Sequence, residues 1–218
     1  MNPTENPKTL MLLSGGMNSA ALILHLTRKL QRPVVEAMIF DRLTPSGSET
    51  AYAKRTAARA GVGFSTWQLH TAPMIGMDVE LMPDDFRVLD DTQAARAQML
   101  VKATFRAREM RCEKIASGFL AEELNMLVDD LYLFTGAAAT FAGLSASAFE
   151  FPFMKFTKAD VFELARQEDI LVEVGFHTMS CLTGDDETKH QWGYGCGSCS
   201  GCERRAAGWA MYIEGLNR

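Results

Sequence analysis

The 218-residue chain has no apolar run approaching the 18 or more residues needed to cross a bilayer. It has no excess of positive charge either, because 22 Lys and Arg stand against 27 Asp and Glu, a net charge of −5. That balance argues against a broad grip on nucleic-acid phosphates and leaves at most a local basic groove. Neither nucleic acid nor a membrane is expected as a direct partner. Low-complexity tracts and internal repeats are missing. With 47% hydrophobic and 22% charged residues, disorder, collagen and coiled coil are excluded as the main organisation. The opening MNPTENPKTL lacks the basic start and apolar stretch of a secretory signal, so cytoplasmic is the expected location. The cysteines number five, an odd total that argues against a disulfide framework.

What is present alternates between short apolar runs and helix-forming stretches. TLMLL at 9–13 predicts a strand, ended by Ser14-Gly15-Gly16. Residues 17–31 predict a helix, VVEAMIF at 34–40 a buried strand, 49–60 a helix closed by Gly61, and GFSTWQL at 63–69 a third strand. Residues 70–91 read as irregular and 92–110 as helix. CEKIASG at 112–118 reads as strand and turn, and 122–143 as mostly helix with Gly136 as a candidate interruption. Phe149 to Lys155 is an aromatic crossing segment, its Phe149, Phe151 and Phe153 reading as core, and 158–168 an amphipathic helix. Strands separated by helices predict a doubly wound parallel α/β sheet. The expected division is a nucleotide-binding domain at 1–175 and a small C-terminal metal-binding subdomain at 176–218.

Two features carry chemistry. At LMLLSGGMNSAALIL a buried strand turns through adjacent glycines into a helix, whose free N–H groups form a ready anion site. Ser14 and Ser19 add hydroxyls there. No Lys follows the second glycine as in a P-loop, and Gly-x-Gly-x-x-Gly is absent. A plain strand-to-helix turn is the alternative reading. The second feature is Cys181-x14-Cys196-x2-Cys199-x2-Cys202, four thiolates at zinc-site spacing. A saturated four-cysteine site leaves no open position for water, so its role is structural. Redox thiols and an iron–sulfur cluster are the alternatives.

Together these motifs carry a resemblance. Ser14-Gly15-Gly16-Met17-Asn18-Ser19 is similar to the SGGxDS pyrophosphate loop of ATP pyrophosphatases and other adenylating enzymes, with Asn18 in place of Asp. Ser180-Cys181, then Cys196-Gly197-Ser198-Cys199, Cys202, Arg204 or Arg205, and Gly208 resemble the ending of the QueC (7-cyano-7-deazaguanine synthase) family. Weaker matches are Phe40-Asp41, Gly118, Lys158, Arg96 flanked by Ala95 and Ala97, and Asp129 in a changed context. The resemblance implies a Rossmann-like fold of ATP pyrophosphatase type that uses ATP, Mg²⁺ and Zn²⁺. It implies adenylation of 7-carboxy-7-deazaguanine, followed by attack of ammonia to give an amide and then the nitrile. Conjugation to a protein amine, as in defence-associated QueC-like proteins, is the divergent alternative.

The roles that follow from the resemblance are specific. Ser14, Gly15, Gly16, Ser19, Phe40, Asp41 and Gly118 would hold ATP, and Asn18, Arg96 and Lys158 would act in catalysis. Glu123 and Asp129 would bind the deazaguanine, and Cys181, Cys196, Cys199 and Cys202 the metal. Each has a plainer reading: Arg96 as a solvated helix residue, Glu122, Glu123, Asp129 and Asp130 as an acidic face, Lys158 as a helix start. His25 reads as packed or exposed rather than catalytic, and His70 as a minor candidate for the site wall. A neutral amide at position 18 reads either as a weakening, natural or engineered, or as the working residue of a divergent branch. A non-catalytic nucleotide-binding module is therefore the competing function. A homodimer is the expected assembly.

Overall fold

Every residue of β1 (Thr9–Leu13) is buried, and its side chains alternate between two separate cores. Met11 and Leu13 enter one core and Leu10 and Leu12 the other, as the two-residue period of a strand requires. The computed structural model describes residues 6–41, 48–69, 91–124 and 126–217. Around β1 lies a five-stranded, all-parallel sheet in the order β3-β2-β1-β4-β5. The flanking strands are β2 (Val34–Asp41), β3 (Phe64–Gln68), β4 (Lys114–Ser117) and the short β5 (Phe149–Glu150).

Helices cover both faces. On one lie α1 (Met17–Leu24), α2 (Ser48–Arg59), α5 (Lys158–Gln167), α6 (Leu171–Phe176) and α7 (Ser200–Leu216). On the other lie α3 (Asp91–Glu109) and α4 (Val128–Phe141). The doubly wound α/β architecture expected from the alternation is present. A two-stranded antiparallel ribbon, β6 (Lys189–His190) with β7 (Gly193–Tyr194), sits in the cysteine-bearing segment. That segment and α7 send Cys181, Trp192, Cys202 and Tyr212 into the same core as α1 and α2. Among the described residues no helix is long and apolar enough to cross a membrane.

Local details depart from the periodicity in instructive ways. After Leu24 the first helix widens into a π turn at His25–Lys29, with the Leu30 amide donating to the His25 carbonyl. The stretch read as helix from 122 begins instead as a 3-10 turn at Ala121–Glu123, and α4 starts only at Val128. Gly136 does not interrupt α4. The aromatic segment pairs as strand over two residues only, and then turns. Phe149, Phe151 and Phe153 are nonetheless buried.

Candidate functional site: the cleft at the switch point

β1 and β4 are neighbours, yet the chain winds outward from them in opposite directions. In such sheets ligands sit beyond the strand C-termini at that switch point. A cleft of about 270 Å³ lies there. Ser14, Gly16, Asn18 and Ser19 form its floor, Phe40 reaches it from β2, Arg96 from α3, and Gly118 from the end of β4. Glu123 and Lys158 complete the set of anticipated residues along its wall.

The floor is a tight hydrogen-bonded loop. The Ser14 amide donates to Ser19 Oγ at 3.2 Å, and the two hydroxyls lie 3.0 Å apart. Gly16 is the N-cap of α1 and has no capping side chain, so the first helical N–H groups have no intrahelical partners. Gly15 adopts φ +86°, and a Cβ there would lie 2.2 Å from the Glu49 carbonyl oxygen. Gly16 has ordinary clearance, its nearest neighbour being Ser14 Oγ at 3.4 Å from an added Cβ. Gly15→Ala should therefore lower Tm by several degrees, from about 1–3 kcal/mol of strain. Gly16→Ala should leave Tm unchanged, and thermal denaturation of both variants checks the pair.

Above the floor, Asn18, Glu123 and Lys158 form a closed network. Asn18 Nδ2 donates to Glu123 Oε2 at 2.8 Å, and Lys158 Nζ donates to Asn18 Oδ1 at 3.1 Å and to Glu123 Oε1 at 2.6 Å. With a carboxylate on one side and an ammonium on the other, the amide can point only one way. Burial pushes the Lys158 ammonium below its ordinary range, and the Glu123 charge pulls the other way. The α5 terminus that presents Lys158 is well defined. Thr157 and Asp160 form a reciprocal capping box, and the Lys158 amide donates to Glu122 Oε1 at 3.1 Å. From α7, Gly208 packs so closely that a Cβ would sit 2.3 Å from Lys158 Cβ.

Other anticipated residues lie elsewhere. Gly15 underlies the loop and Asp41 ends β2, half-buried, and neither lines the cleft. Asp129 is exposed in the first turn of α4 and also does not line it. His70 falls outside the described residues. His25 is tied to Glu168 at 2.6 Å, away from the cleft. The structure adds residues to which the sequence reading gave no part in the cleft. Phe119 lines the cleft with the Arg96 guanidinium 5.4 Å from its ring centroid, and Met179, Ser180, Leu182 and Arg204 form the far wall.

The two adjacent arginines have different jobs. Arg204 lines the cleft, while Arg205 is fully buried. Arg205 donates to the carbonyls of Trp192 (3.0 Å), Val174 (3.0 Å) and Gly175 (2.5 Å) and to Thr178 Oγ1 (2.9 Å). Its position was readable from α7, where Cys202, Arg205, Gly208 and Tyr212 share the buried face at three- and four-residue spacing. Arg205 holds the strand of chain that carries Ser180 and Cys181, and the Met179 amide in that strand donates to the Gly15 carbonyl at 2.9 Å. The cysteine segment is thus a wall of the cleft.

The four sulfurs of Cys181, Cys196, Cys199 and Cys202 lie within 4.8 Å of one another, a set that could hold a metal ion. Burial pushes the Cys202 thiol up to about 12, while donors at Ser198 bring Cys196 down to about 5. Backbone amides point at the sulfurs, from Leu182 to Cys199 at 3.3 Å and from Cys196 to Cys181 at 3.4 Å. Such donors stabilise thiolate charge and commonly surround metal–thiolate centres.

A parallel sheet with a glycine loop and helix start at its switch point defines a doubly wound α/β protein whose loop is placed to meet an anion. The U34-tRNA thiolase NcsA from Methanococcus maripaludis, solved with its 4Fe–4S cluster, shares this fold at TM-score 0.53 and 14% identity, covering 97% of this chain and 67% of that one. Residues 8–213 match the family described as "Queuosine biosynthesis protein QueC". The chain belongs to the QueC family. The 7-cyano-7-deazaguanine synthase of Nitratidesulfovibrio vulgaris is 42% identical over 67 residues, 29% of this chain and 28% of that protein. That of Parvibaculum lavamentivorans is 42% identical over 73 residues, 32% and 31% respectively. These alignments span less than a third of either relative.

Proposed function

We propose that the chain is an ATP-dependent ligase that adenylates the carboxylate of 7-carboxy-7-deazaguanine and passes the acyl group to an amine. One observation carries the reading: the glycine loop, the start of α1 and the buried Lys158 ammonium converge on a single cleft. A carboxylate is a poor electrophile. Its oxygen attacks the α-phosphorus of ATP, pyrophosphate leaves, and AMP becomes the leaving group when the amine attacks the acyl carbon. With ammonia the product is the amide, and a second ATP removes the amide oxygen to give the nitrile.

The residues divide this work. The α1 N–H groups with Ser14 and Ser19 hold the phosphates, and Lys158 meets the negative charge that grows on the departing pyrophosphate. Glu123 holds that ammonium in place. Mg²⁺ arriving on the phosphates would find Glu123 and Glu49 as the carboxylates lining the cleft among the described residues, and would supply charge neutralisation. For the thiolates we favour one zinc ion. A tetrahedral ion at about 2.3 Å from each sulfur sets them roughly 3.8 Å apart, which the 4.8 Å grouping fits.

The network bears on the competing view of a module weakened at Asn18. Asn18 donates to one neighbour and accepts from the other, and no ionised Asp can do both. Asn18→Asp would set two carboxylates about as close as the present 2.8 Å contact, and like charges at that distance cannot both ionise unaided. ATP binding by that variant in EDTA should be about tenfold weaker than by the wild type, and Mg²⁺ should restore it. Equal binding in EDTA would remove the role given to Asn18.

The deciding experiment is AMP release from ATP with 7-carboxy-7-deazaguanine, offered ammonia or a protein amine. Mass spectrometry then separates nitrile from conjugate. No AMP release with either amine would overturn the enzymatic reading and favour the binding module.

A further inference from the structure

We propose that Arg204 is the second cation of the pyrophosphate subsite, closing on that anion from the wall that faces the glycine loop. The inference rests on the adenylating reading above, which supplies ATP as the ligand. Arg204 is exposed, lines the cleft, and makes no hydrogen bond or ion pair with the other described residues. By contrast, Arg28, Arg32, Arg106 and Arg166 each meet a glutamate. Within the cleft Lys158 is matched by Glu123, whose two oxygens are engaged by Lys158 and Asn18. The charge of Arg204 is left over.

The helix that carries it is fixed against the loop. Gly201, in the first turn of α7, also lines the cleft, and a Cβ there would lie 2.0 Å from the Ser180 carbonyl oxygen. Ser180 follows Met179, whose amide holds the Gly15 carbonyl. One turn beyond Arg204, Gly208 packs on the Lys158 stem, and residues four apart share a helix face. Arg204 and Lys158 are therefore neighbours. Burial above all, then the charges of Arg205 and Arg204, disfavours the Lys158 ammonium against the pull of Glu123. Two cations facing one space repel until an anion lies between them.

The cleft sorts its walls by chemistry, and the sorting selects which part of ATP meets Arg204. Phe40, Met99 and Phe119 line it from the side of the core under α3 and α4 and suit a flat ring. The start of α1, Lys158 and Arg204 belong to helices on the other face of the sheet. Bound ATP thus sets its purine toward the first group and its phosphate tail toward the second. When the substrate oxygen attacks, the bond from the α-phosphorus to the bridging oxygen breaks, and its electron pair stays on pyrophosphate. A guanidinium offers N–H donors in a planar fork that suits two oxygens of such an anion.

Calorimetry on the full chain with inorganic pyrophosphate and, separately, AMP tests this, in EDTA so that no magnesium ion carries the anion's charge. Arg204→Met should bind pyrophosphate at least tenfold more weakly than the wild type, and AMP within twofold. Arg204→Lys, which keeps the charge, should lose less than threefold. Both variants should keep the wild-type Tm, because the side chain is exposed. Unchanged pyrophosphate affinity in Arg204→Met overturns the proposal. So does an equal loss for AMP, which would put the guanidinium at the α-phosphate, a lysine variant no better than methionine, or a wild type that binds no pyrophosphate. The subsite and the ligase fail separately. Pyrophosphate binding that depends on Arg204, with no AMP release for any amine, sinks the ligase and keeps the subsite. AMP release with pyrophosphate affinity indifferent to Arg204 does the reverse.

Discussion

Lys158→Met should cut ATP-dependent AMP release by about 10²–10³-fold, the cost of removing one preorganised charge-stabilising donor. The side chain is buried, enters from α5, and meets both Asn18 and Glu123. Its ammonium is already desolvated, so it need not shed water as charge develops on the phosphates. The effect should therefore fall on kcat more than on KM. Methionine approximates the shape of the stem, which keeps the packing against Gly208. Glu123 keeps its bond from Asn18, so the variant should remain folded. A second readout follows from burial. The working form is the charged one, and burial lowers the pKa from 10.5, so wild-type activity should decline with rising pH before an exposed lysine would lose its proton. Unaltered activity in Lys158→Met would remove Lys158 from the chemistry and leave it a packing residue.

Removing the metal should be the largest perturbation to stability. Structural zinc binding is folding free energy, with apparent values of about 10–16 kcal/mol in isolated zinc fingers. Here Cys181 and Cys202 share a core with α1 and α2, so part of the fold should persist without the ion. A strong chelator or Cys202→Ser should still lower Tm by at least about 10 °C, roughly 3–5 kcal/mol for a chain of this size. Elemental analysis should give about one zinc per chain. Nucleotide binding should fall in parallel, because Cys181 lies two residues past Met179, whose amide holds the Gly15 carbonyl. Full stability and binding in a metal-free protein would contradict both the zinc and its link to the loop.

Signals confined to a short stretch of chain were legible. The strand–glycine–helix turn announces its own geometry, and three of the cysteines fall within seven residues, so their meeting needs no knowledge of the fold. The parallel sheet followed from alternation. The walls of the cleft were harder to read because their residues are far apart in sequence. Glu123 is 105 positions from Asn18, and Lys158 is 140. No periodicity shows that the turn after β4 will bend so that Glu123 reaches both. The doubling of acids at 122–123 and again at 129–130 made the pairs look equivalent. Backbone direction separates them: the first pair turns toward α1 and α5, and Asp129 and Asp130 are exposed at the start of a helix. Arg204 and Arg205 were indistinguishable as a motif and divide only once α7 has a buried side.

Gly208 against Lys158 has a consequence for the order in which the protein is made. The loop at Ser14 leaves the ribosome before the wall that closes its cleft, which comes from residues 179–204, and Gly208, which packs on the lysine, follows later still. At about 5–20 residues per second, some 10–40 s separate synthesis of the two. Throughout that interval the nascent chain has its glycine turn without Arg204, without the cysteine set and without the helix that backs Lys158. A chain cut short between Ser19 and Met179 would carry the loop and no closed site.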